Sequence, residues 1–430
     1  MRNDILTEIS TKNKNSSSRG ALRATWRYIM RKSLELLYPV KNTGLAMAAL
    51  AVSFLLLTAC NGFFDKDNTP APSPLVSFTP EIQPKLLWSA HTGSGNSGEY
   101  LKLQAALTDK QVFTVDKKGN VAAVDKTNGH IQWRLATHIA AAGGPAAGED
   151  IVVIGGRKGD VYALQTANGR IRWQVNVNEE ILAQPAITQG KVFIKTTTGY
   201  IYALSTQDGH TLWSTHQTEP ALILRTSSAP IIMGNDLITG FANGNLVKLN
   251  LHNGDTIWSQ TIAIPDGSFA IQRMVDIDAN PILFHNHIYA ATYQGKIAAL
   301  DRYSGDIRWS QNMSTFTGLA ADDDHVYATD AKSWVWAFTA TQGNETWHQS
   351  KLVNRQITGP AIMGNYIVMG DKEGYLHWLS QKDGHFAARV KANRAGMIVS
   401  PLVEDNILYI ITTDGYLMAY KQEFPLTLSS

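Results

Sequence analysis

One cysteine in 430 residues, Cys60, leaves no partner for an internal disulfide. Charge is scarce too. Asp, Glu, Lys and Arg make up 17% of the chain against 44% hydrophobic residues, the balance of a globular protein rather than a disordered one. The basic excess is confined to one end. Residues 1–59 hold nine Lys or Arg and three Asp or Glu, so the remainder carries 29 basic against 33 acidic residues. Such a body has no basic surface for nucleic-acid phosphates. No hydrophobic run reaches the roughly 20 residues of a membrane-spanning helix. The twelve histidines lack metal-ligand spacing, no nucleophile motif is present, and no carboxylates cluster with amides as a Ca²⁺ site would require. No metal or cofactor is therefore expected.

What the chain does have is a repeat. Its clearest copy is Gly199 to Trp213, GYIYALSTQDGHTLW: an apolar strand, an Asp208-Gly209 turn, and a strand ending on an aromatic anchor. Copies begin at Gly119, Gly159, Gly244 and Gly295, with weaker ones at Ser333 and Gly374 and a half-copy at Gly415. The Gly374 copy carries Ala388 in place of the tryptophan, which leaves the packing of that unit in question. Pro145, Pro185, Pro230, Pro281, Pro360 and Pro401 each lie fourteen residues before a repeat start. Such periods mark units that cannot bury their apolar faces alone and must stack on neighbours.

Within residues 184–216 the order is a short strand after Pro185, a Gln189-Gly190 turn, KVFIKT, a Thr198-Gly199 turn, YIYALS, the Asp208-Gly209 turn and HTLWST. Asn-Gly or Asp-Gly supplies the positive φ of a tight hairpin. Four short antiparallel strands with no helical period make a propeller blade, and third strands such as IYAL, apolar on both sides, fit a sheet sandwiched between neighbours. The final copy lacks a fourth strand, while Lys85 to Ala90 (KLLWSA) is a fourth strand with nothing before it. Joined, they complete an all-β, eight-bladed propeller over residues 85–424, closed by its N-terminal strand.

Ahead of it, Leu45 to Leu57 is a thirteen-residue apolar run with Arg31, Lys32 and Lys41 upstream, the pattern of a signal peptide spanning residues 1–59. The stretch before Met30 is long for a signal peptide, so Met30 is a second candidate start. The run ends in Leu57-Thr58-Ala59-Cys60, which resembles the bacterial lipobox; that implies acylation of Cys60 and anchoring of the mature chain. Asn61 is not the aspartate that favours inner-membrane retention, so the expected address is the periplasmic face of the outer membrane. Residues 60–84, rich in Pro, Asn, Ser and Asp, read as a flexible tether.

Two connectors are long. The repeat tryptophan precedes the next blade's proline by 12 residues at Trp133 and Trp173, by 17 at Trp213 and by 23 at Trp258. Both connectors leave the same face, and long loops on a rigid scaffold carry function. The acidic run Asp322 to Asp324 falls at a turn on the opposite face and reads as a solvated loop.

The A-L-x-x-x-x-G-x-x-x-W pattern is similar to that of quinoprotein alcohol dehydrogenases, which implies the scaffold and leaves a quinone- or ligand-binding periplasmic propeller as an alternative. A closer match lies in PALILRTSSAP (Pro220–Pro230), IQRMVDIDANP (Ile271–Pro281), the lipobox, the split blade and the run Gly370 to Trp378 (GDKEGYLHW). Together they resemble the BamB family, lipoprotein propellers of the outer-membrane β-barrel assembly machinery. The resemblance implies a non-enzymatic scaffold whose partners are the periplasmic domains of BamA, other subunits of that machinery and unfolded outer-membrane proteins. It implies partner-binding roles for Leu222, Leu224 and Arg225 on the first connector and Asp276 and Asp278 on the second. These five are expected to form one patch, and Arg225→Ala or Asp278→Ala is expected to lose the partner without changing the thermal midpoint.

Overall fold

A computed structural model describes residues 70–224 and 227–423; Cys60, Arg225 and the signal-peptide region lie outside the described residues. It contains eight four-stranded antiparallel sheets. Blades 1 to 7 span residues 106–136, 141–176, 186–216, 231–261, 282–313, 319–349 and 361–391. Blade 8 joins the chain ends: Gln83–His91 pairs with Tyr416–Glu423 as the outer strand of residues 402–423. Side chains of blades 8 and 1 share one apolar cluster, Trp88, Tyr409 and Leu417 with Val112 and Val124, so the ring is closed.

The third strands are buried on both faces, as the poor alternation implies; Val121 to Val124 are all 0% exposed. The repeat tryptophan explains the repeat glycine. In blade 4, Gly254 turns with φ +77°, and a Cβ there would stand 2.6 Å from the Trp213 indole of blade 3, so only glycine lets the ring lie flat on the turn. The same contact joins Trp88, Trp133, Trp173, Trp258, Trp309 and Trp347 to the turn glycine of the next blade. Six of these seven indoles also donate Nε1–H to a backbone carbonyl of that blade at 2.7–3.2 Å. At Trp258 the corresponding carbonyl, that of Arg302, instead accepts from Lys248 Nζ at 3.4 Å.

The seam between blades 7 and 8 has no such contact, and the split blade is the reason. Its third and fourth strands belong to opposite ends of the chain, so no turn glycine exists there for an indole to cover. Ala388 is nonetheless fully packed. Blades 1, 2, 3, 5 and 6 pair a third-strand alanine with the fourth-strand tryptophan, and blade 7 inverts the pair, with Trp378 facing Ala388. Trp378 and Ala388 are each 1% exposed, so volume is conserved across the ladder.

The upstream segment fills the rest of that seam, against the expectation of a free tether through residue 84. Ile82 is buried with Ala387, Ala388 and Trp378, and Glu81 N–H donates to the Ala387 carbonyl at 2.8 Å. The rings of Phe78 and Phe386 stack with centroids 5.5 Å apart, and Arg389 packs against both, 4.9 and 5.1 Å from their centroids, and donates to the Val76 carbonyl. Further out, Ser73 N–H donates to the Val353 carbonyl, and Arg355 donates to the Ser73 carbonyl. Residues 73–82 therefore form a strap over the outer strand of blade 7. Composition alone hid it, because its few apolar residues act through a blade almost 300 positions away in the sequence.

Candidate functional site

Connectors 217–230 and 262–281 leave consecutive blades on one face, and the structure ties them together. Asp276 Oδ1 accepts from Leu224 N–H at 2.7 Å, and Asn280 Oδ1 accepts from Ala229 N–H at 2.8 Å. Leu222 is 46% exposed, and Leu224 is half-buried. Asp276 and Asp278 are not on the surface: they are 3% and 1% exposed. The expected five-residue patch is thus corrected. The aspartates lie beneath the connectors because Ile277 N–H donates to the Phe241 carbonyl and Tyr293 N–H to the Asp276 carbonyl, which draws this stretch against blades 4 and 5.

Below them sits a cluster of charge that the sequence reading missed. Lys195, on the second strand of blade 3, is 3% exposed; it donates to the Gly240 carbonyl and lies 5.1 Å from the centroid of the Phe241 ring. Glu219 Oε2 accepts from Ala242 N–H at 2.9 Å. Lys102, from the connector between blades 8 and 1, reaches across to the carbonyls of Asp278 and Phe316 at 2.9 and 2.6 Å. Its ammonium is 3.7 Å from Asp278 Oδ2. One signal could have revealed Lys195. At the fifth position of the second strand the other blades carry Val115, Gly155, Gly240, Ala291, Thr329, Gly370 and Ile411, all small or uncharged.

Burial dominates the electrostatics. It pushes the Asp276 carboxyl up to about 7, against the Leu224 N–H bond that favours ionisation, and the Asp278 charge adds to the rise. Asp278 and Glu219 are also raised by burial, and the attraction of Lys102 and Lys195 offsets only part of it. Burial lowers Lys195 to about 8 and lowers Lys102 as well. For the Lys102–Asp278 pair both shifts favour the neutral forms, so desolvation exceeds the attraction at this separation.

Above the cluster the longer connector displays apolar side chains. Ile264, Phe269 and Ile271 are 79, 68 and 62% exposed. They are held rather than loose, because Gln272 Oε1 accepts from Ser268 N–H and Phe269 N–H at 3.1 and 3.2 Å beside the short 3-10 turn Ala270–Arg273. On the opposite face, Asp323 is solvated as expected and meets only the exposed His285, at 2.6 Å. The central channel holds a cavity of about 230 Å³ near the connectors, lined by Lys102, Gln104, Gln184, Asn280 and Ser400 among others. That is below the roughly 300–1,000 Å³ usual for ligand pockets. Among the described residues no group of three or more His, Cys, Asp or Glu side chains is placed to hold a metal ion.

Comparison with known proteins bears on this face. Residues 117–349 and 331–423 match the family model described as "Outer membrane protein assembly factor BamB". A protein of that name from Alkalilimnicola ehrlichii is 45% identical over 376 residues, 87% of this chain and 96% of that one. The crystal structure of BamB from Moraxella catarrhalis superposes with a TM-score of 0.73 at 25% identity, covering 79% of this chain and all of the other. Quinohemoprotein alcohol dehydrogenase from Comamonas testosteroni superposes with a TM-score of 0.65 at 14% identity, a likeness of fold alone.

Proposed function

This chain belongs to the outer membrane protein assembly factor BamB family, and on that premise we propose that it is a non-enzymatic, lipid-anchored scaffold of the outer-membrane assembly complex. It docks the periplasmic domains of BamA through the two long connectors. One observation carries the reading: the connectors are bonded to each other at Leu224 and Asp276 and together present Leu222, Ile264, Phe269 and Ile271 to solvent on one face. Exposed apolar side chains held on a braced loop lose little freedom on binding, which is what an interface core needs. Arg225 supplies the charged contact that the family resemblance implies for it. The alternative of a quinone-binding propeller rests on fold likeness alone.

The test is co-purification with the soluble periplasmic domains of BamA. Leu222→Asp combined with Phe269→Asp is expected to weaken binding by about 2 kcal/mol or more, roughly 30-fold, with an unchanged thermal midpoint, since both side chains already face water. Tyr303→Asp, 65% exposed at a turn on the opposite face, is the control and should bind normally. Loss of binding in the control with retention in the double variant would place the partner on the other face.

Anchoring is tested separately. Cys60→Ser should move the protein from the membrane fraction to the soluble periplasm while its thermal midpoint stays that of the parent, because the residue lies upstream of the strap that packs on blade 7. Continued sedimentation with membranes would end the lipoprotein reading.

A further inference from the structure

Among the described residues three carboxylates and two ammonium groups gather under the connectors: the buried Asp276 and Asp278 and the half-buried Glu219 against Lys195 and Lys102. A cavity of about 10 Å³, at the lower limit for a single water, lies among Lys195, Glu219, Asp276 and Asp278. A buried charge without a counter-charge is avoided by protonation. The geometry indicates the position of that proton. Asp276 uses Oδ1 to accept from Leu224 N–H, and its Oδ2 is buried with no hydrogen-bond partner; Asp278 Oδ2 has none either but lies 3.7 Å from the Lys102 ammonium.

From this arrangement we infer that Asp276 and Asp278 are positioning residues that hold the connectors from below without touching BamA, and that release of one proton from the cluster to solvent loosens connector 217–230 and weakens docking. The inference rests on the docking reading above. It adds Lys195, Glu219 and Lys102 to the residues that shape the site.

The direction follows from which groups face Asp276. From its own connector there is Asp278, from the neighbouring connector Glu219, and from blade 3 Lys195, while Lys102 faces Asp278. Tyr100 and the exposed His216 stand next to Asp278 and Glu219 respectively. Ionised, Asp276 repels two carboxylates; protonated, it does not. Its folded value near 7 lies above that of an unfolded aspartate, so the stabilisation is fully present below about pH 4 and is lost as pH rises through 7.

Two measurements on the full chain decide it. In the first, affinity for the soluble periplasmic domains of BamA should fall about tenfold between about pH 6 and about pH 8. In the second, made without any partner, amide exchange at Leu224 should accelerate over the same interval beyond its intrinsic base-catalysed rise. Asp276→Asn keeps an Oδ1 acceptor for Leu224 N–H and cannot ionise, so it should bind alike at both pH values and show only the intrinsic base-catalysed rise in exchange. Asp276→Ala should bind poorly at both. A merely structural aspartate would show no pH profile and no rescue by asparagine. A parent without pH dependence at Leu224, or an Asp276→Asn variant that keeps the parent's slope, overturns the inference. So does a slope removed by Arg225→Gln instead, since Arg225 would then supply the missing positive charge. Failure of every variant to bind at either pH refutes the docking reading, and the exchange measurement still decides the proton.

Discussion

Asp278→Ala is expected to destabilise the isolated protein by about 3–5 kcal/mol, not merely to weaken a partner contact. This reverses what the Asp-x-Asp motif leads one to expect. Asp278 is 1% exposed, its carbonyl and carboxylate both face the Lys102 ammonium, and Lys195 adds to the field around it. Alanine would leave the buried Lys102 ammonium without the carboxylate it faces at 3.7 Å. The loss arises from the unpaired charges rather than from any large net value of the pair, because burial already drives both partners of Lys102–Asp278 toward their neutral forms. Two comparisons check this in denaturant titrations. Asp278→Leu paired with Lys102→Met should recover much of the stability that Asp278→Ala loses, since no charge then remains unpaired at that position. An Asp278→Ala protein with the parent's midpoint would mean that the aspartate is solvated after all.

Removal of residues 71–91 should have a still larger effect, exceeding the roughly 3–5 kcal/mol that loss of a single buried tryptophan costs. The deletion takes away the outer strand of blade 8, which pairs with Tyr416–Glu423 along its length. It takes Trp88 off Gly129 at the seam with blade 1, and Ile82 and Phe78 off blade 7 at the seam that has no indole-on-glycine contact. Both seams of blade 8 weaken at once, and the strand left at the end of the sheet exposes unpaired N–H and C=O groups that can pair with another molecule. The expected result is a lower midpoint together with aggregation seen by sedimentation. Deletion of residues 71–79 alone should cost less, since it removes the Phe78–Phe386 stack that Arg389 packs against and leaves the closing strand in place. A midpoint equal to the parent's in the longer deletion would show that this strand does not close the ring.

Much of the architecture was legible in the chain because it repeats. A glycine, a run of apolar residues, a second glycine and a tryptophan at constant spacing report local demands: positive φ at a turn, burial on both faces of a strand, an indole over the next turn. Each demand is met within about forty residues, so each unit states its own solution, and the half-units at the two ends state how the ring closes. The long connectors announced themselves by their length alone.

What the tertiary structure decided lies wherever distant segments meet. Nothing near Ala388 in sequence says that Trp378 replaces the missing indole across the ladder, or that residues 73–82 return to cover that blade. The same holds for the connectors. Asp276 and Asp278 lie in a long connector, where the resemblance places them on the surface; their burial depends on Phe241, Lys195 and Lys102 from three other segments. Ile264, Phe269 and Ile271 look like core residues by composition, yet the connector turns them outward. Repeat spacing encodes contacts between neighbouring units, whereas the charge balance of a buried cluster is a property of side chains brought together from far apart, and it exists only once the ring has closed.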